Sequence, residues 1–401
     1  MARFAPRLLV VPAPEFAERE LRRIGVDGYG IVEMLPKMRT LSIHLSQLEC
    51  RQANILKQEM LSLGGDAAVA RGTVACSIKQ TDCILIGSVK QIARLCNKLR
   101  AQPFALPELA GELESLLSRI ASPPKVWRTS RRSLSLERPL IMGILNITPD
   151  SFSDGGRCGD SDRAAEIALR MESDGADIID VGGESTRPGA VPVSSDEELA
   201  RIIPVIERLA GTLACAISVD TWKSGVAGRA LSAGAEIVND ISGFNFDSLM
   251  AAVAASGKAG VVLMHTRGTP ETMLKNTAYN DLMTDVTLSL RASLDRAHDA
   301  GISDDNIAID PGIGFGKDAA GNMELLRRLA ELSGLGLPIL TGPSRKSFIG
   351  SVLGRERTDE RIFGTAAAVA LSVSHGASIL RVHDVRAMRD VADMAHAIVH
   401  G

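Results

Sequence analysis

From Leu140 to the C terminus the chain repeats one unit: a short apolar run, a polar loop, then a stretch with apolar residues three and four apart. The runs are Ile141–Ile147, Ile178–Val181, Cys215–Val219, Glu236–Asn239, Val261–Met264, Ile307–Ile309, Ile339–Leu340 and Ile379–Val382. Helical segments separate each run from the next, the alternation expected of a parallel sheet. Eight such units in about 260 residues fit a closed (β/α)8 TIM barrel better than an open sheet. Strands this short and this apolar are expected when both faces are covered. The chain is therefore predicted to be α/β, with a (β/α)8 barrel over 139–401 and a smaller N-terminal α/β module over 1–122.

The upstream pattern is less regular. Apolar residues at mixed helical spacing run from Leu41 to Leu61 and stop at Gly64-Gly65, which predicts a helix with a glycine terminator. Two short apolar runs follow, Val74 to Ile78 and Cys83 to Ile86. Val89, Ile92, Leu95, Cys96 and Leu99 then recur at helical spacing, and Leu106 to Ile120 reads as another helix. No constellation of reactive residues stands out, so an accessory packing or oligomer-forming role is expected. Between the two parts, 123–138 holds Pro123-Pro124 and then Lys125, Arg128, Arg131, Arg132 and Arg138 among serines, which reads as a basic linker.

Composition narrows the function. Of 401 residues 45% are hydrophobic and 23% charged, enough to bury a sizeable core, which rules out wholesale disorder. The formal charge of −3 argues against a protein whose main partner is nucleic acid, and with only 9 Phe, 2 Trp and 2 Tyr base-stacking platforms are not expected. Cys50, Cys76, Cys83, Cys96, Cys158 and Cys215 are scattered and never form a C-x-x-C pair, so neither a zinc site nor a disulfide framework is expected. The apolar stretch Leu8–Val11 is too short for a signal-peptide core, and no run is long enough to span a membrane. A cytoplasmic location is the expectation.

In a barrel of this kind the chemistry sits at the C-terminal ends of the strands. Polar residues accumulate there. The first run leads into Asn146-Ile-Thr-Pro-Asp-Ser-Phe-Ser-Asp-Gly-Gly156 and the second into Gly182-Gly-Glu-Ser-Thr-Arg-Pro-Gly189. Later ends carry Asp220, Asn239-Asp240, His265, Asp310-Pro-Gly-Ile-Gly-Phe-Gly-Lys317, Gly342-Pro-Ser-Arg-Lys-Ser347 and Arg381-Val-His-Asp384. Asp220, Asn239 and Asp310 offer acceptors, while Lys346 and Arg381 offer donors, a set suited to a flat nitrogenous ring. A guanidinium can also lie over such a ring. Arg187, Arg381 and His383 supply donors for a phosphate or diphosphate. Asn146 can give a side-chain oxygen to Mg²⁺, which binds through few protein ligands plus phosphate oxygens.

Taken singly, these signals are weak. Gly312-x-Gly314-x-Gly316 lacks dinucleotide-binding spacing and is better read as a tight turn. Asp220 could equally cap a helix starting near Thr221. His265 is expected to be structural or supporting more than catalytic.

Together the segments Met142–Gly156, Gly183–Ala190, Ser344–Ser347 and Arg381–Asp384 resemble those of the dihydropteroate synthases, in the pterin-binding barrel family. The resemblance covers roughly Arg138 to Gly401. It implies condensation of 6-hydroxymethyl-7,8-dihydropterin diphosphate with 4-aminobenzoate, giving 7,8-dihydropteroate and pyrophosphate. By position it implies that Asp220, Asn239, Asp310 and Lys346 hold the pterin, with Arg381 against the ring face. Asn146 is similar to the family's Mg²⁺ ligand, and Thr186, Arg381 and His383 match its contacts to the diphosphate. Pro188, Phe315 and Lys346 line the aminobenzoate pocket by analogy, and Ser347, where a helix should begin, receives the carboxylate. A homodimer is also implied. The stretch Asp318-Ala-Ala-Gly-Asn322 departs from the common pattern, which is expected to alter a loop and leave the chemistry alone.

Asp220, Asp310, Lys346, Arg381 and His383 are thus the expected catalytic residues, working by electrostatics and positioning without a dedicated general base. The alternatives are a pterin-dependent methyltransferase of the same barrel family and a non-catalytic pterin-binding protein.

Overall fold

The computed structural model describes residues 5–11, 14–147, 157–185 and 192–400. Its internal contacts divide the chain into two compact units, Met1–Ala121 and Ser122–Gly401.

The first unit begins with helices α1 (Pro14–Arg23) and α2 (Gly28–Met38). Strand β1 (Thr40–Glu49), helix α3 (Cys50–Ser62), strands β2 (Asp66–Val69) and β3 (Gln80–Ser88), and helices α4 (Val89–Leu99) and α5 (Leu106–Ala121) follow. The sheet is antiparallel in the order β1-β3-β2. Its buried face, including Ile43, Ala67, Cys83 and Leu85, packs with Leu56, Ile92, Leu95, Leu99 and Leu106 of the helices. The single helix expected over Leu41–Leu61 is a correction: it is a strand followed by a helix. Leu41, Ile43 and Leu45 alternate, but a bulge between Leu45 and Leu48, with Gln47 left-handed at φ 56°, breaks the period of two. Strand and helix then add up to a spacing that imitates one helix. Of the two short runs, Cys83–Ile86 lies inside β3, whereas Val74–Ile78 lies between β2 and β3 and is not a strand.

The second unit opens with a hairpin of β4 (Val126–Arg128) and β5 (Ser133–Ser135). Eight parallel strands follow: β6 (Leu140–Asn146), β7 (Ile178–Gly182), β8 (Ala216–Asp220), β9 (Ile237–Asp240), β10 (Gly260–Met264), β11 (Ile307–Asp310), β12 (Leu340–Thr341) and β13 (Ile379–Val382). Between and after them run α6 (Arg157–Ser173), α7 (Ser195–Ala210), α8 (Ser224–Ala233), α9 (Met250–Ser256), α10 (Leu282–Asp299), α11 (Ala319–Arg327), α12 (Ser347–Leu353), α13 (Ile362–Ser374) and α14 (Val385–His400). The strand order is β11-β10-β9-β8-β7-β6-β13-β12. A bridge between Ile309 and Ile339, with Ile309 N–H donating to the Pro338 carbonyl at 2.9 Å, closes the ring between β11 and β12. This is the expected (β/α)8 barrel, with run boundaries shifted by at most a residue or so.

Although the strands look uniformly apolar, alternate residues serve different layers. Ile141, Leu145, Ile179, Val181, Ile217, Val219, Val238, Val261, Leu263, Ile307, Ile309, Leu380 and Val382 pack outward under the helices. Met142, Ile178, Ala216, Ile237, Val262, Ala308, Leu340 and Ile379 fill the barrel's lower interior. Two residues further along several strands, the inward positions change character: Asp180 follows Ile178, Ser218 and Asp220 follow Ala216, Asn239 follows Ile237, Asp310 follows Ala308 and Arg381 follows Ile379. All of them but Arg381 are buried, and Arg381 is half-buried. An apolar floor thus carries a polar layer.

The basic linker expected over 123–138 is also a correction. Trp127 of β4 is fully buried in the apolar cluster of the barrel interior, and its indole N–H donates to the Asn306 carbonyl at 3.0 Å. Thr129 Oγ1 and Arg132 Nε both reach the buried Glu236 carboxylate, at 2.7 and 3.0 Å. A single tryptophan among prolines and arginines carries little weight against so basic a stretch, yet it sets where the segment packs. The hairpin is a plug, with a polar rim that the basic residues supply.

Candidate active site

Arg381 on β13 is the hub of the polar layer. Its Nε donates to Asp180 Oδ2 and its Nη2 to Asp220 Oδ2, both at 2.6 Å. Asn239 Nδ2 donates to the same Asp180 oxygen at 3.0 Å. The remaining oxygens, Asp180 Oδ1 and Asp220 Oδ1, are buried without a hydrogen-bond partner among the described residues, as is Ser218 Oγ. Leaving such oxygens unmatched costs about 1–3 kcal/mol each, so the layer is built for a ligand that brings N–H donors. Burial pushes the Asp220 carboxyl up to about 7 against the pull of Arg381, and Asp180 beside it pushes the same way. Asp220 is not a helix cap: it ends β8 with its side chain on Arg381, and α8 begins only at Ser224.

Asp310 ends β11 and starts the glycine-rich turn. Its Oδ1 accepts from Gly312 N–H at 2.7 Å, while burial raises the carboxyl to about 6. Gly312, Gly314 and Gly316 all have positive φ, of 73°, 83° and 62°. At Gly312 a Cβ would collide with the His265 carbonyl oxygen, and at Gly314 it would lie 2.8 Å from Lys346 Cδ. The turn has to be glycine because backbone and a lysine stem pass directly against it. Lys317 is buried beneath it: Nζ meets His265 Nδ1 at 2.9 Å and donates to the Gly312 and Phe315 carbonyls at 3.0 and 2.9 Å. Burial lowers that ammonium to about 7. Burial, together with Lys317 and Arg267, also holds His265 below the usual histidine range, so His265 is a neutral acceptor that braces the turn. Asn322 of the divergent stretch accepts from Gly314 N–H at 2.6 Å, and Asp318 caps α11 through Gly321 N–H.

Lys346 Nζ lies 4.2 Å from the centre of the Phe315 ring, a cation–π contact that sets an amine beside an aromatic wall. Ser347 is the first residue of α12, as expected. Across the β12–β13 edge, Ser344 Oγ accepts from His383 N–H at 3.2 Å and lies 3.0 Å from His383 Nδ1. The Ser344 hydroxyl thus holds the imidazole at Nδ1, which leaves Nε2 as the ring nitrogen not engaged by Ser344. Burial, with Arg345 and Arg381 nearby, lowers His383 to about 3, which favours the neutral ring.

Asn146 ends β6, and its Oδ1 lies 3.5 Å from the Cβ that Gly182 lacks, close to Asp220. Thr186, Arg187 and Pro188 lie outside the described residues, as does most of the loop after β6. The structure therefore brings Asp220, Asn239, Asp310 and Arg381 into one layer. Around them stand Asn146, Phe315, Lys346, Ser347 and His383 at the ends of β6, β11, β12 and β13. Sequence reasoning missed Asp180 and Lys317. Asp180 had a signal, a lone charge two places after Ile178 in a strand otherwise apolar. Lys317 had none, since only the fold shows the side chain turned inward.

A barrel closed below and polar above, with buried carboxylates around one guanidinium, is a site suited to a nitrogen heterocycle at the mouth. The family model described as pterin binding enzyme matches residues 142–383, and the chain belongs to that family. A dihydropteroate synthase from a Synechocystis species is 49% identical over 262 residues, covering 65% of this chain and 91% of that protein. A probable bifunctional folylpolyglutamate synthase/dihydropteroate synthase of Haloferax volcanii is 41% identical over 382 residues, 92% of this chain and 44% of its own length. That likeness extends into the first unit. The solved structure of Xanthomonas albilineans dihydropteroate synthase with 4-aminobenzoic acid superposes with a TM-score of 0.65 at 42% identity, over 70% of this chain and all of that one.

Proposed function

We propose that the chain is a transferase that condenses 6-hydroxymethyl-7,8-dihydropterin diphosphate with 4-aminobenzoate, forming 7,8-dihydropteroate and releasing pyrophosphate. The observation that carries this reading is the polar layer: unmatched Asp180 and Asp220 oxygens beside Arg381, in a chain of which 262 residues are 49% identical to a named dihydropteroate synthase.

The pterin's ring N–H and amino groups donate to Asp220, Asp310 and the Asn239 amide oxygen, while Lys346 and Arg381 face its acceptors. The C–O bond from the exocyclic methylene to the diphosphate then breaks ahead of attack, and positive charge spreads into the ring. Asp220 and Asp310 stabilise that charge in a buried site, where fixed charges act strongly. The aniline nitrogen of 4-aminobenzoate attacks the methylene and loses its proton afterwards. Thr186, Arg381 and His383 receive the departing diphosphate. Phe315, Pro188 and the Lys346 stem flank the benzene ring, and Ser347 takes the carboxylate at the start of α12.

Mg²⁺ fits this donor set as an ion brought by the diphosphate. Asn146 offers one neutral oxygen near Asp220, and no cluster of three or more acidic, Cys or His side chains able to hold a metal stands among the described residues. A cation that keeps its waters and binds mainly phosphate oxygens suits one amide ligand. When bound it would neutralise charge on the leaving group.

A homodimer and a cytoplasmic location complete the reading. The exposed apolar side chains Phe363 (84%), Leu371, Met394 and Ile398 (72%) on α13 and α14 supply a face for a second copy. No helix among the described residues is long and apolar enough to cross a membrane. The accessory role of the first unit remains assembly or packing. A coupled assay tests the function: purified protein with both substrates and Mg²⁺ yields dihydropteroate and pyrophosphate in equal amounts. Pterin binding without either product would favour a non-catalytic protein.

A further inference from the structure

Arg345 stands between Ser344, which is bonded to His383, and Lys346, and has a backbone that its own side chain disfavours. Its φ is +59°, a left-handed conformation that residues with a Cβ adopt only when the surroundings impose it. Three contacts impose it. The guanidinium pairs with Asp384 through two bonds, Nε to Oδ2 at 3.0 Å and Nη2 to Oδ1 at 2.6 Å. The backbone N–H donates to Thr365 Oγ1 at 3.1 Å, and Arg361 Nη1 donates to the Arg345 carbonyl at 2.9 Å.

Asp384 follows β13 and Arg345 follows β12, so the ion pair ties together the loops of two adjacent strands. On one side of the pair Ser344 is bonded to His383. On the other, the chain leaves the left-handed residue to carry Lys346 over Phe315 and start α12 at Ser347. A right-handed Arg345 would redirect the chain at that point and move Lys346 off the ring. Both side-chain nitrogens that face Asp384 are occupied by it, so Arg345 is not poised to hold substrate with them.

We propose that Arg345 and Asp384 are positioning residues, whose ion pair holds a left-handed backbone link so that Lys346, Ser347 and His383 point into one site. This rests on the reading of the site as a pterin and aminobenzoate site, and deepens it.

The test compares Arg345→Ala, Arg345→Gly and Asp384→Asn in the full chain, with KM for each substrate, kcat, thermal midpoint, and calorimetric affinity for 6-hydroxymethylpterin. Glycine accepts the left-handed conformation freely, whereas alanine keeps the penalty without the ion pair. The expected order is therefore unusual. Arg345→Ala raises KM for 4-aminobenzoate about tenfold or more and weakens pterin binding, Asp384→Asn does the same to a lesser degree, and Arg345→Gly lies closest to wild type. A guanidinium that touched substrate directly would make Gly and Ala equally poor and leave Asp384→Asn mild. A tie that served stability alone would lower the midpoint without changing KM. Either result, or Gly worse than Ala, overturns the proposal. Asp384→Asn keeps the test decisive if Arg345→Ala fails to fold. Pterin affinity reads positioning without turnover, so a wild-type chain that makes no dihydropteroate would refute the functional reading separately.

Discussion

Arg381 joins Asp180 to Asp220 through two 2.6 Å hydrogen bonds from one guanidinium, so a side chain of β13 braces the middle of β7 and the end of β8 in the polar layer. Arginine is required for this because its fork presents two donors in fixed directions, whereas a lysine presents one point charge. Replacing Arg381 by Met leaves two buried carboxylates uncompensated. We expect a loss of about 3 kcal/mol at pH 8, within the range for breaking a buried pair. The loss should shrink towards pH 6 as Asp220, raised to about 7, takes up a proton, and chemical unfolding at the two pH values measures it. Equal losses at both pH values would mean that Asp220 does not depend on Arg381 for its charge.

Asp180 is the buried anchor of the layer, and Asp180→Asn should weaken it. The amide keeps the volume but gives Arg381 and Asn239 a neutral partner in place of an anion. Calorimetry with 6-hydroxymethylpterin should show affinity down about ten- to a hundredfold, the size expected for losing one charge-assisted bond of about 1.5–3 kcal/mol. Unchanged affinity would confine Asp180 to a structural role.

Asp310 links stability to pH with a definite sign. Its carboxyl is raised from 3.8 to about 6 by burial, so between those values the folded state holds a proton that the unfolded state has released. Its contribution therefore diminishes as pH rises through about 6 and is constant above it. Asp310→Asn removes the buried charge and can keep an acceptor for Gly312 N–H. The variant should gain stability over wild type as pH rises from 4 to 8, by up to about 3 kcal/mol for a shift of this size. It should also slow single-turnover chemistry by more than it weakens aminobenzoate binding. Unchanged single-turnover rates would remove Asp310 from charge stabilisation.

Trp127 tests the separation of floor from mouth. Trp127→Ala empties a fully buried site and strips the Asn306 carbonyl of its donor. We expect a cost of about 3–5 kcal/mol in unfolding experiments, with KM for both substrates unchanged while the protein stays folded. A shift in KM would mean that the lower core sets the geometry of the polar layer.

Much of the barrel was legible because its signal is local: apolar strand, polar loop and amphipathic helix recur in register along the chain. The polar residues at strand ends, such as Asp220, Asn239, Asp310 and Arg381, were legible for the same reason. What escaped depends on long-range packing. Asp180 sits mid-strand and gains its role from Asn239 and from Arg381, 59 and 201 residues away. Lys317 is read as an ordinary loop lysine until the fold buries it against His265, 52 residues away. In the first unit a single left-handed Gln47 broke the alternation of β1 and made two elements resemble one.

The central claim is that the polar layer itself grips the pterin, and calorimetric titration of 6-hydroxymethylpterin into wild type and Asp220→Ala addresses it most directly. The account predicts one site per chain in wild type and affinity at least about a hundredfold lower in the variant, as expected when a buried charged partner is removed. Equal binding by the two proteins, with both folded, would place the pterin elsewhere and contradict the account.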